Sequence, residues 1–324
     1  MTKVSVVILT FNQAAFIGKT IESALNQTTN FDYEILVGDD FSTDGARNII
    51  QDYQNRYPDK VKAVLHSKNL GQNGLFNTIE TLKLAKGQYI APLDGDDYWT
   101  SPLKLQKQVD FMEANPEYSA CFHNALITFE DGSPSVEVNR PDQKKKIEME
   151  DLIGEDEIWF MATSAVMFKN NLMYYPEWFL KSTSGDIPRY VILAKYGPIG
   201  YVPELMSVYR KNKGGASFKD HYRDERFLQN RIMMYEGINK ETDYQFNKSL
   251  RKNIARYYRM MLDARQLSNT YFKKAAIATN YLIMKGADLN ECKEITRDYI
   301  LPKWIVSTYS FFALLPYKFR QSSH

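Results

Sequence analysis

Residues 88–99 read Gln88-Tyr89-Ile90-Ala91-Pro92-Leu93-Asp94-Gly95-Asp96-Asp97-Tyr98-Trp99. The first half is a short apolar run, as expected of a strand covered on both faces. It ends at once in three carboxylates within four residues. Carboxylates this close repel one another unless a cation or hydrogen bonds neutralise them. A hard divalent cation takes oxygen ligands, and a Mg²⁺-type site uses one or two carboxylates plus substrate phosphates. An acidic surface turn could have the same sequence. The motif gains weight from its place directly behind a buried strand. Gly95 within it permits close backbone approach or an unusual dihedral.

Upstream, residues 4–9, 33–38 and 61–66 read as three further strands. Between them, residues 14–26, 44–56 and 75–85 place apolar side chains at helical spacing. Strand and helix in strict alternation imply a parallel sheet built by right-handed crossovers. Ligands of such sheets bind beyond the carboxyl ends of the strands. The polar residues gather there: Thr10 and Asn12 after the first strand, Asp39 and Asp40 after the second, the acidic cluster after the fourth. Downstream, residues 103–114 read as a helix with Pro102 at its start. Residues 119–129 and 159–168 read as strands, 131–146 as an exposed loop and 187–196 as a helix stopped by Gly197-Pro198. From Tyr222 onward the pattern is helical.

The division expected is an α/β domain over 1–218, with a nucleotide-binding half at 1–100 and an acceptor-binding half at 101–218. A helical C-terminal region would follow over 219–324. The charge follows this division. The net charge of the 324 residues is +2, yet residues 1–205 hold 19 Lys/Arg against 28 Asp/Glu, and the remainder 22 against 11. The two cysteines, Cys121 and Cys292, form no metal-binding pair and suit a reducing, cytoplasmic compartment. The N-terminal apolar run is too short for a signal peptide and reads as a strand. No stretch approaches the ~20 apolar residues of a membrane span; residues 304–317 come nearest.

Within Asp39-Asp40-Phe41-Ser42-Thr43-Asp44-Gly45, Ser42, Thr43 or Asp44 could cap the next helix. Asp39 and Asp40 stand at the strand end, where a carboxylate could accept from the imino N–H of uracil, thymine or guanine. In order, three segments resemble family 2 glycosyltransferases, which have the GT-A fold: Val-Ser-Val-Val-Ile-Leu-Thr-Phe-Asn (4–12), residues 39–45, and Leu-Asp-Gly-Asp-Asp-Tyr-Trp (93–99). The resemblance covers about residues 3 to 218. It implies a Rossmann-like, mostly parallel α/β sheet flanked by helices. The implied activity is inverting transfer of a sugar from a nucleotide-diphosphate sugar, UDP being the commonest carrier, with Mn²⁺ or Mg²⁺.

The same resemblance implies residue roles. Thr10, Asn12 and Asp39 would line the nucleotide pocket, and Asp40 would contact the base. Asp94 would contact the ribose or assist the metal, and Asp96 would hold the metal on the donor diphosphate. Asp97 would instead hold the loop in shape. Asp186, in Ser184-Gly185-Asp186-Ile187-Pro188-Arg189, fits the family's general base at a helix start, against a plain N-cap reading. Met161-Ala162-Thr163-Ser164 resembles an acceptor-side segment, so Thr163 or Ser164 would bond a sugar. Two departures stand out. Relatives often carry a metal-binding His just after the segment matched by Val208-Tyr209-Arg210, and here Asn212 falls near that place. An amide oxygen is a weaker donor. Lys211 and Lys213 would face the diphosphate or solvent. Relatives also often carry an Arg after the third strand, whereas residues 69–77 have none and offer Asn69 and Asn73 to the nucleotide.

Trp99 is the leading candidate for a sugar platform, ahead of Tyr98, Trp159 and Trp178; core packing is the alternative for each. His66, His123 and His221 show no ligand spacing. The basic, aromatic stretch 248–274 carries no nucleic-acid motif. Its apolar stripe would pack on the catalytic domain, or its basic face would meet an anionic membrane surface as a peripheral contact. The acceptor expected is a glycan or polyprenyl-linked sugar. Processive relatives carry a Gln-x-x-Arg-Trp motif and membrane spans, and neither is found. A nucleotidyltransferase would need a Gly-rich phosphate loop with a basic residue after the first strand, where Thr10-Phe11-Asn12-Gln13 stands. A non-catalytic module with the same fold remains the other alternative.

Overall fold

The computed structural model describes residues 2–153, 160–212, 224–263, 271–302 and 304–306. The chain divides into two compact units. The described residues up to Asn212 form the first, and those from Asp224 onward form the second.

In the first unit, strands β1 (Val4–Thr10), β2 (Tyr33–Asp39), β3 (Val61–Leu65) and β4 (Tyr89–Asp94) are joined by helices α1 (Ala14–Leu25), α2 (Ala46–Arg56) and α3 (Leu75–Leu82). Next come β5 (Tyr98–Trp99), α4 (Lys104–Ala114), β6 (Ala120–Phe129), β7 (Val136–Glu137), β8 (Lys146–Ile147) and α5 (Met149–Leu152). The unit ends with β9 (Val166–Lys169), α6 (Glu177–Lys181), α7 (Asp186–Ala194) and β10 (Ile199–Lys211). One sheet runs in the order β3-β2-β1-β4-β9-β6-β10-β5, with β7 on β6 and β8 on β10. The first four strands are parallel. Beyond them β9 runs antiparallel to both β4 and β6, so the sheet as a whole is mixed.

Successive side chains of a strand point to opposite faces. Val4, Val6 and Ile8 therefore meet Ile17 and Ile21 of α1, Ile50 of α2 and Leu105 of α4. Val7 joins Leu36, Ile90, Phe122, Tyr190 and Leu193 on the other face. Both faces are buried, which explains the unbroken apolar runs.

The register places the site. Thr10 pairs with Asp39 and Leu9 with Asp94, so the carboxyl ends of β1, β2 and β4 finish together. β9 forms its ladder with β4 at Tyr89 and Ile90. Pro92, which has no N–H to give, lies beyond that ladder. Because β9 runs the other way, the turn before it (Thr163–Ala165) lies at the carboxyl edge of β4. Here the strand expected over 159–168 is corrected: it begins only at Val166. β10 runs parallel to β6 and returns its own end, Arg210 and Lys211, to the same edge.

The second unit is helical: α8 (Glu225–Glu241), α9 (Asn247–Asp263), α10 (Tyr271–Lys285) and α11 (Leu289–Ile295). Asp224 caps α8 by accepting from Arg226 N. Leu250, Ile254, Tyr257 and Met261 form the buried stripe of α9. Tyr257 stacks on Tyr235 of α8, with ring centroids 5.9 Å apart. The stripe packs against α8 and α10 of its own unit. No described helix is long and apolar enough to cross a membrane.

Candidate active site

The acidic turn is fixed from three sides. Asp97 N–H donates to Asp94 O at 2.9 Å and closes the turn. The Thr20 hydroxyl of α1 lies 2.8 and 2.7 Å from the carbonyls of Gly95 and Asp97. From β10, Arg210 N–H donates to Asp97 Oδ1 at 2.9 Å and Arg210 Nη1 to Asp96 O at 2.6 Å. Gly95 is needed for close approach, since a Cβ there would meet Gln13 Oε1 at 2.5 Å and Thr10 Cβ at 2.8 Å. Asp97 is buried and held well above the usual carboxylate range, chiefly by burial and then by repulsion from Asp94 and Asp96. Its Oδ1 is taken up by Arg210 N–H within the closed turn.

Asp94 and Asp96 are half-buried in this turn. Loss of solvation pushes Asp94 up to about 7, aided by repulsion from Asp96 and Asp186 and opposed by Arg189 and a hydrogen bond from Thr163. Asp96 Oδ2 accepts from Asn212 Nδ2 at 2.7 Å. Arg210 and Asn212 are two residues apart, so both reach the turn. Lys211 between them points the other way, its Nζ 5.9 Å from the Phe129 ring centroid. The diphosphate contact expected of Lys211 is therefore corrected by the period of the strand.

Asp186, the first residue of α7, joins the same edge. Thr163 Oγ1 donates to Asp186 Oδ1 at 3.3 Å, and Arg189 Nη1 lies 3.4 Å from that oxygen. The same hydroxyl lies beside Asp94, so its single proton stands between the carboxylate behind β4 and the one opening α7. The Arg189 side chain is only 8% exposed, against 33% for Asp186. A buried guanidinium facing two carboxylates offsets part of their repulsion. The sequence reading missed Arg189, although its three-residue step from Asp186 on a helix was a usable signal.

At the ends of β1 and β2, Asn12 accepts from Thr43 N at 2.8 Å and its own N–H donates to Ser42 Oγ. Thr10 is buried and bonds Gln13. Asp39 is fully buried. Its Oδ2 accepts from Ser42 N at 3.0 Å and lies 3.6 Å from Arg47 Nη1, while Oδ1 has no hydrogen-bond partner. Asp40 Oδ1 accepts from Leu70 N at 2.6 Å. Asp40 thus holds the loop after β3. That loop turns sharply, with Gly71, Gln72, Asn73 and Gly74 all at positive φ. Gln72 and Asn73 donate to the carbonyls of Ser182 and Thr183, just before Asp186. Phe11 and Phe41 are 48% and 42% exposed at this edge and were not singled out from sequence.

Two acceptor assignments change. Trp99 is 4% exposed, belongs to the core and donates Nε1–H to Ser164 O at 2.8 Å, so its faces are closed to a sugar. Ser164 is fully buried against Ser207 at 3.3 Å. The Tyr98 ring lies between Lys19 Nζ at 3.6 Å and Arg210 at 4.6 Å. Trp178 packs beside Phe179. His123 is buried and His66 bonds Asn77. Trp159, Lys213 and His221 lie outside the described residues.

Among the described residues, no three His, Cys, Asp or Glu side chains gather as a chelating group. The donor set at Asp96, Asp94 and Asn212 is instead sparse and negative. That suits a hard cation completed by phosphate oxygens and water.

A mixed sheet in this strand order, flanked by helices, is of the GT-A class. The chain belongs to glycosyl transferase family 2, whose model matches residues 5–172. It is 31% identical over 231 residues to an uncharacterized protein of Mycobacterium tuberculosis, covering 68% of this chain and 62% of that one. It thus spans less than two thirds of that relative's length. A UDP-Glc:α-D-GlcNAc-diphosphoundecaprenol β-1,3-glucosyltransferase of Escherichia coli is 39% identical over 113 residues, 35% of this chain and 42% of that one. Among solved structures, S. aureus TarS in complex with UDP-GlcNAc aligns with TM-score 0.54 at 16% identity, over 88% of this chain and 89% of that one. A Pyrobaculum calidifontis mannosyltransferase in complex with GDP-Man and Mn²⁺ aligns with TM-score 0.52 at 18% identity, over 91% and 83%. At these identities the likeness concerns the fold.

Proposed function

We propose that the chain is an inverting, non-processive, metal-dependent glycosyltransferase. It would move a sugar from a nucleotide-diphosphate sugar, a UDP-sugar first, to a glycan or lipid-linked acceptor in surface polysaccharide or glycolipid synthesis. The observation that carries this reading is the pinning of Asp186 Oδ1 by Thr163 and Arg189 beside Asp94. Oδ2 of Asp186 would face the acceptor.

Residues 1–100 would bind the donor and 101–218 the acceptor. The Phe41 ring would receive the base at the edge held by Asp40, with the buried Asp39, Thr10 and Asn12 shaping the floor and the loop at Asn73 bounding the ribose side. Asp94 and Asp96 would hold Mn²⁺ or Mg²⁺, with Asn212 orienting Asp96. The cation, when bound, would stabilise charge on the departing diphosphate. The acceptor oxygen forms its bond to the anomeric carbon as the bond to the diphosphate breaks, and Asp186 takes the acceptor proton. Base catalysis of this kind contributes ~10²–10⁴ in rate. No covalent nucleophile is needed. The polyprenol-linked acceptor in the name of the Escherichia coli relative supports a lipid-linked acceptor here. The basic second unit would then meet the inner face of the cell membrane as a peripheral contact.

The test is calorimetry of UDP, TDP, GDP and CDP, with and without Mn²⁺, on the wild type and on Asp96→Ala. Support is binding of one diphosphate that Mn²⁺ tightens and that loses its metal dependence in Asp96→Ala. No binding under any condition would leave the non-catalytic module as the better account.

A further inference from the structure

Asp186 opens α7, and burial does not fix it there. Side chains of this helix are buried from Pro188 to Leu193, whereas Ser184 to Ile187 are only half-buried. Arg189 moves with Asp186, because both stand on α7. Thr163 gives the carboxylate an anchor from outside the helix. A second anchor comes from the turn after β3. Gln72 Nε2 donates to Ser182 O and Asn73 Nδ2 to Thr183 O, both at 3.2 Å. Consecutive amides thus meet consecutive carbonyls across 110 residues of sequence. Ser182 is buried, and its hydroxyl donates to Ser184 O at 3.0 Å and accepts from Ser184 N–H at 3.2 Å. The carbonyls held by the two amides are therefore tied to the residues that lead into Asp186.

The turn itself is strained. Gly71, Gln72, Asn73 and Gly74 have φ of +77°, +52°, +50° and +82°. Glycine takes such values freely and asparagine occasionally, whereas a glutamine there is uncommon. Backbone of this kind persists where the surrounding structure over-determines it, and it clusters at functional sites. Here the turn is braced at both ends. Asp40 Oδ1 accepts from Leu70 N at 2.6 Å on one side. On the other, Leu75 joins Phe179 of α6 and Ile192 of α7 in an apolar cluster. The turn so fixed delivers two neighbouring amides to one short segment.

We propose that Gln72 and Asn73 are positioning residues for Asp186. By holding the carbonyls of Ser182 and Thr183 they set where the first turn of α7 stands, and so the reach of the carboxylate to the reacting oxygen. Their turn is bound to Asp40, so one strap ties the place of the base to the edge that receives the donor. The inference rests on Asp186 being the general base of the proposed transfer. Neither amide touches the substrate in this role.

The experiment measures steady-state release of nucleoside diphosphate to water by the full chain, from UDP-glucose, UDP-N-acetylglucosamine or GDP-mannose with Mn²⁺. Water stands in for the acceptor: its oxygen bonds to the anomeric carbon as the diphosphate leaves with the bonding pair, and Asp186 takes its proton. The variants are Gln72→Gly, Asn73→Gly and the pair, because glycine accepts the left-handed backbone while the amide is removed. Circular dichroism melts set an assay temperature at which every variant is folded. Hydrogen–deuterium exchange follows peptides that cover residues 182–187. Expected are a kcat about tenfold lower in each single variant and about a hundredfold lower in the pair, as for a misplaced catalytic group. Donor KM should stay within about twofold of the wild type, and exchange over 182–187 should quicken in step with the loss of kcat. An unchanged kcat in the pair overturns the proposal and leaves the two bonds as packing. A raised donor KM with kcat unchanged also overturns it, by placing the amides in the donor pocket. So does a lower kcat with unchanged exchange over 182–187, which would mean that the amides act on the substrate directly. Failure of the wild type to turn over any of the three donors is a different result: it sinks the transferase reading itself, and this inference with it.

Discussion

Asn212 donates its side-chain amide to Asp96 Oδ2 at 2.7 Å, across the gap between β10 and the acidic turn. The amide therefore orients the carboxylate proposed to hold the cation, and its own oxygen stays available as a further, weaker donor. A hydrogen bond to a charged group is worth about 1.5–3 kcal/mol. Solvent competition at this half-buried place reduces that. Asn212→Ala is expected to raise the Mn²⁺ concentration for half-maximal nucleotide binding about tenfold, and Asn212→His to restore it. Unchanged metal dependence in Asn212→Ala would remove this residue from the site.

Asp186 and Arg189 separate chemistry from binding. Asp186→Asn keeps the shape of the side chain and removes its basicity, so kcat should fall by ~10²–10⁴ with donor affinity unchanged. Arg189→Gln removes the group that fixes Asp186 Oδ1 and leaves two carboxylates less compensated. A misplaced base can cost ~10²-fold. The expected result is a large fall in kcat with little change in donor KM. Equal changes in both would mark Arg189 as a residue of the donor pocket.

These groups were unequally legible in the sequence. The ends of β1, β2 and β4 could be read directly, because apolar runs bounded by Asp and Thr say where parallel strands stop. Asp186 was legible through its place at a helix start. Thr163 was half legible: its segment was noticed, but 160–165 were read as strand although they cross the sheet edge as a turn. No periodicity distinguishes the two in so short an apolar stretch. Trp99 was misread because one aromatic beside a polar motif carries no signal of burial, and only the β5–β10 pairing encloses it. Lys211 was misread because its neighbours were weighed by sequence proximity, whereas a strand sends adjacent side chains to opposite faces.

Lys104 gives a prediction about stability. Its ammonium is fully buried, lies 4.0 Å from the centroid of the Trp99 ring and has no hydrogen-bond partner. Burial pushes its pKa from 10.5 down to about 7. The folded protein thus releases this proton more readily than the unfolded chain. Below about pH 7 both states carry the charge and its full burial cost is present. Between about 7 and 10.5 the unfolded state holds the extra proton, so this group makes stability rise with pH, by up to ~1.4 kcal/mol per unit. Lys104→Met should be more stable than the wild type near neutrality, and the difference should shrink as the pH rises above about 7. Urea midpoints of the two proteins on either side of this pH check it. Cys121, whose raised pKa acts in the opposite sense, is coupled to Lys104, so the comparison is read below about pH 8, where its thiol is protonated in both states. A constant difference would mean that Lys104 stays charged, held by the Trp99 face.

Phe41 tests whether strain at the edge of the sheet serves the donor. Its φ is +69°, a region that L side chains rarely adopt, and its ring is 42% exposed with the Arg47 guanidinium 5.6 Å away. Left-handed backbone costs roughly 1 kcal/mol at a non-glycine residue, and nothing in the core requires this ring. Phe41→Ala removes the ring and keeps the strain, whereas Phe41→Gly removes both. Phe41→Gly should therefore be more stable than Phe41→Ala by about 1 kcal/mol, less the extra chain entropy of glycine. Stacking of a base on an aromatic ring is worth ~1–3 kcal/mol, so both variants should bind the nucleoside diphosphate at least fivefold more weakly than the wild type. Thermal melts and calorimetry on the three proteins separate the two effects. Loss of affinity in both variants alike places the ring against the base. Undiminished affinity in both would leave Phe41 as a surface residue whose strained backbone follows only from the turn between β2 and α2.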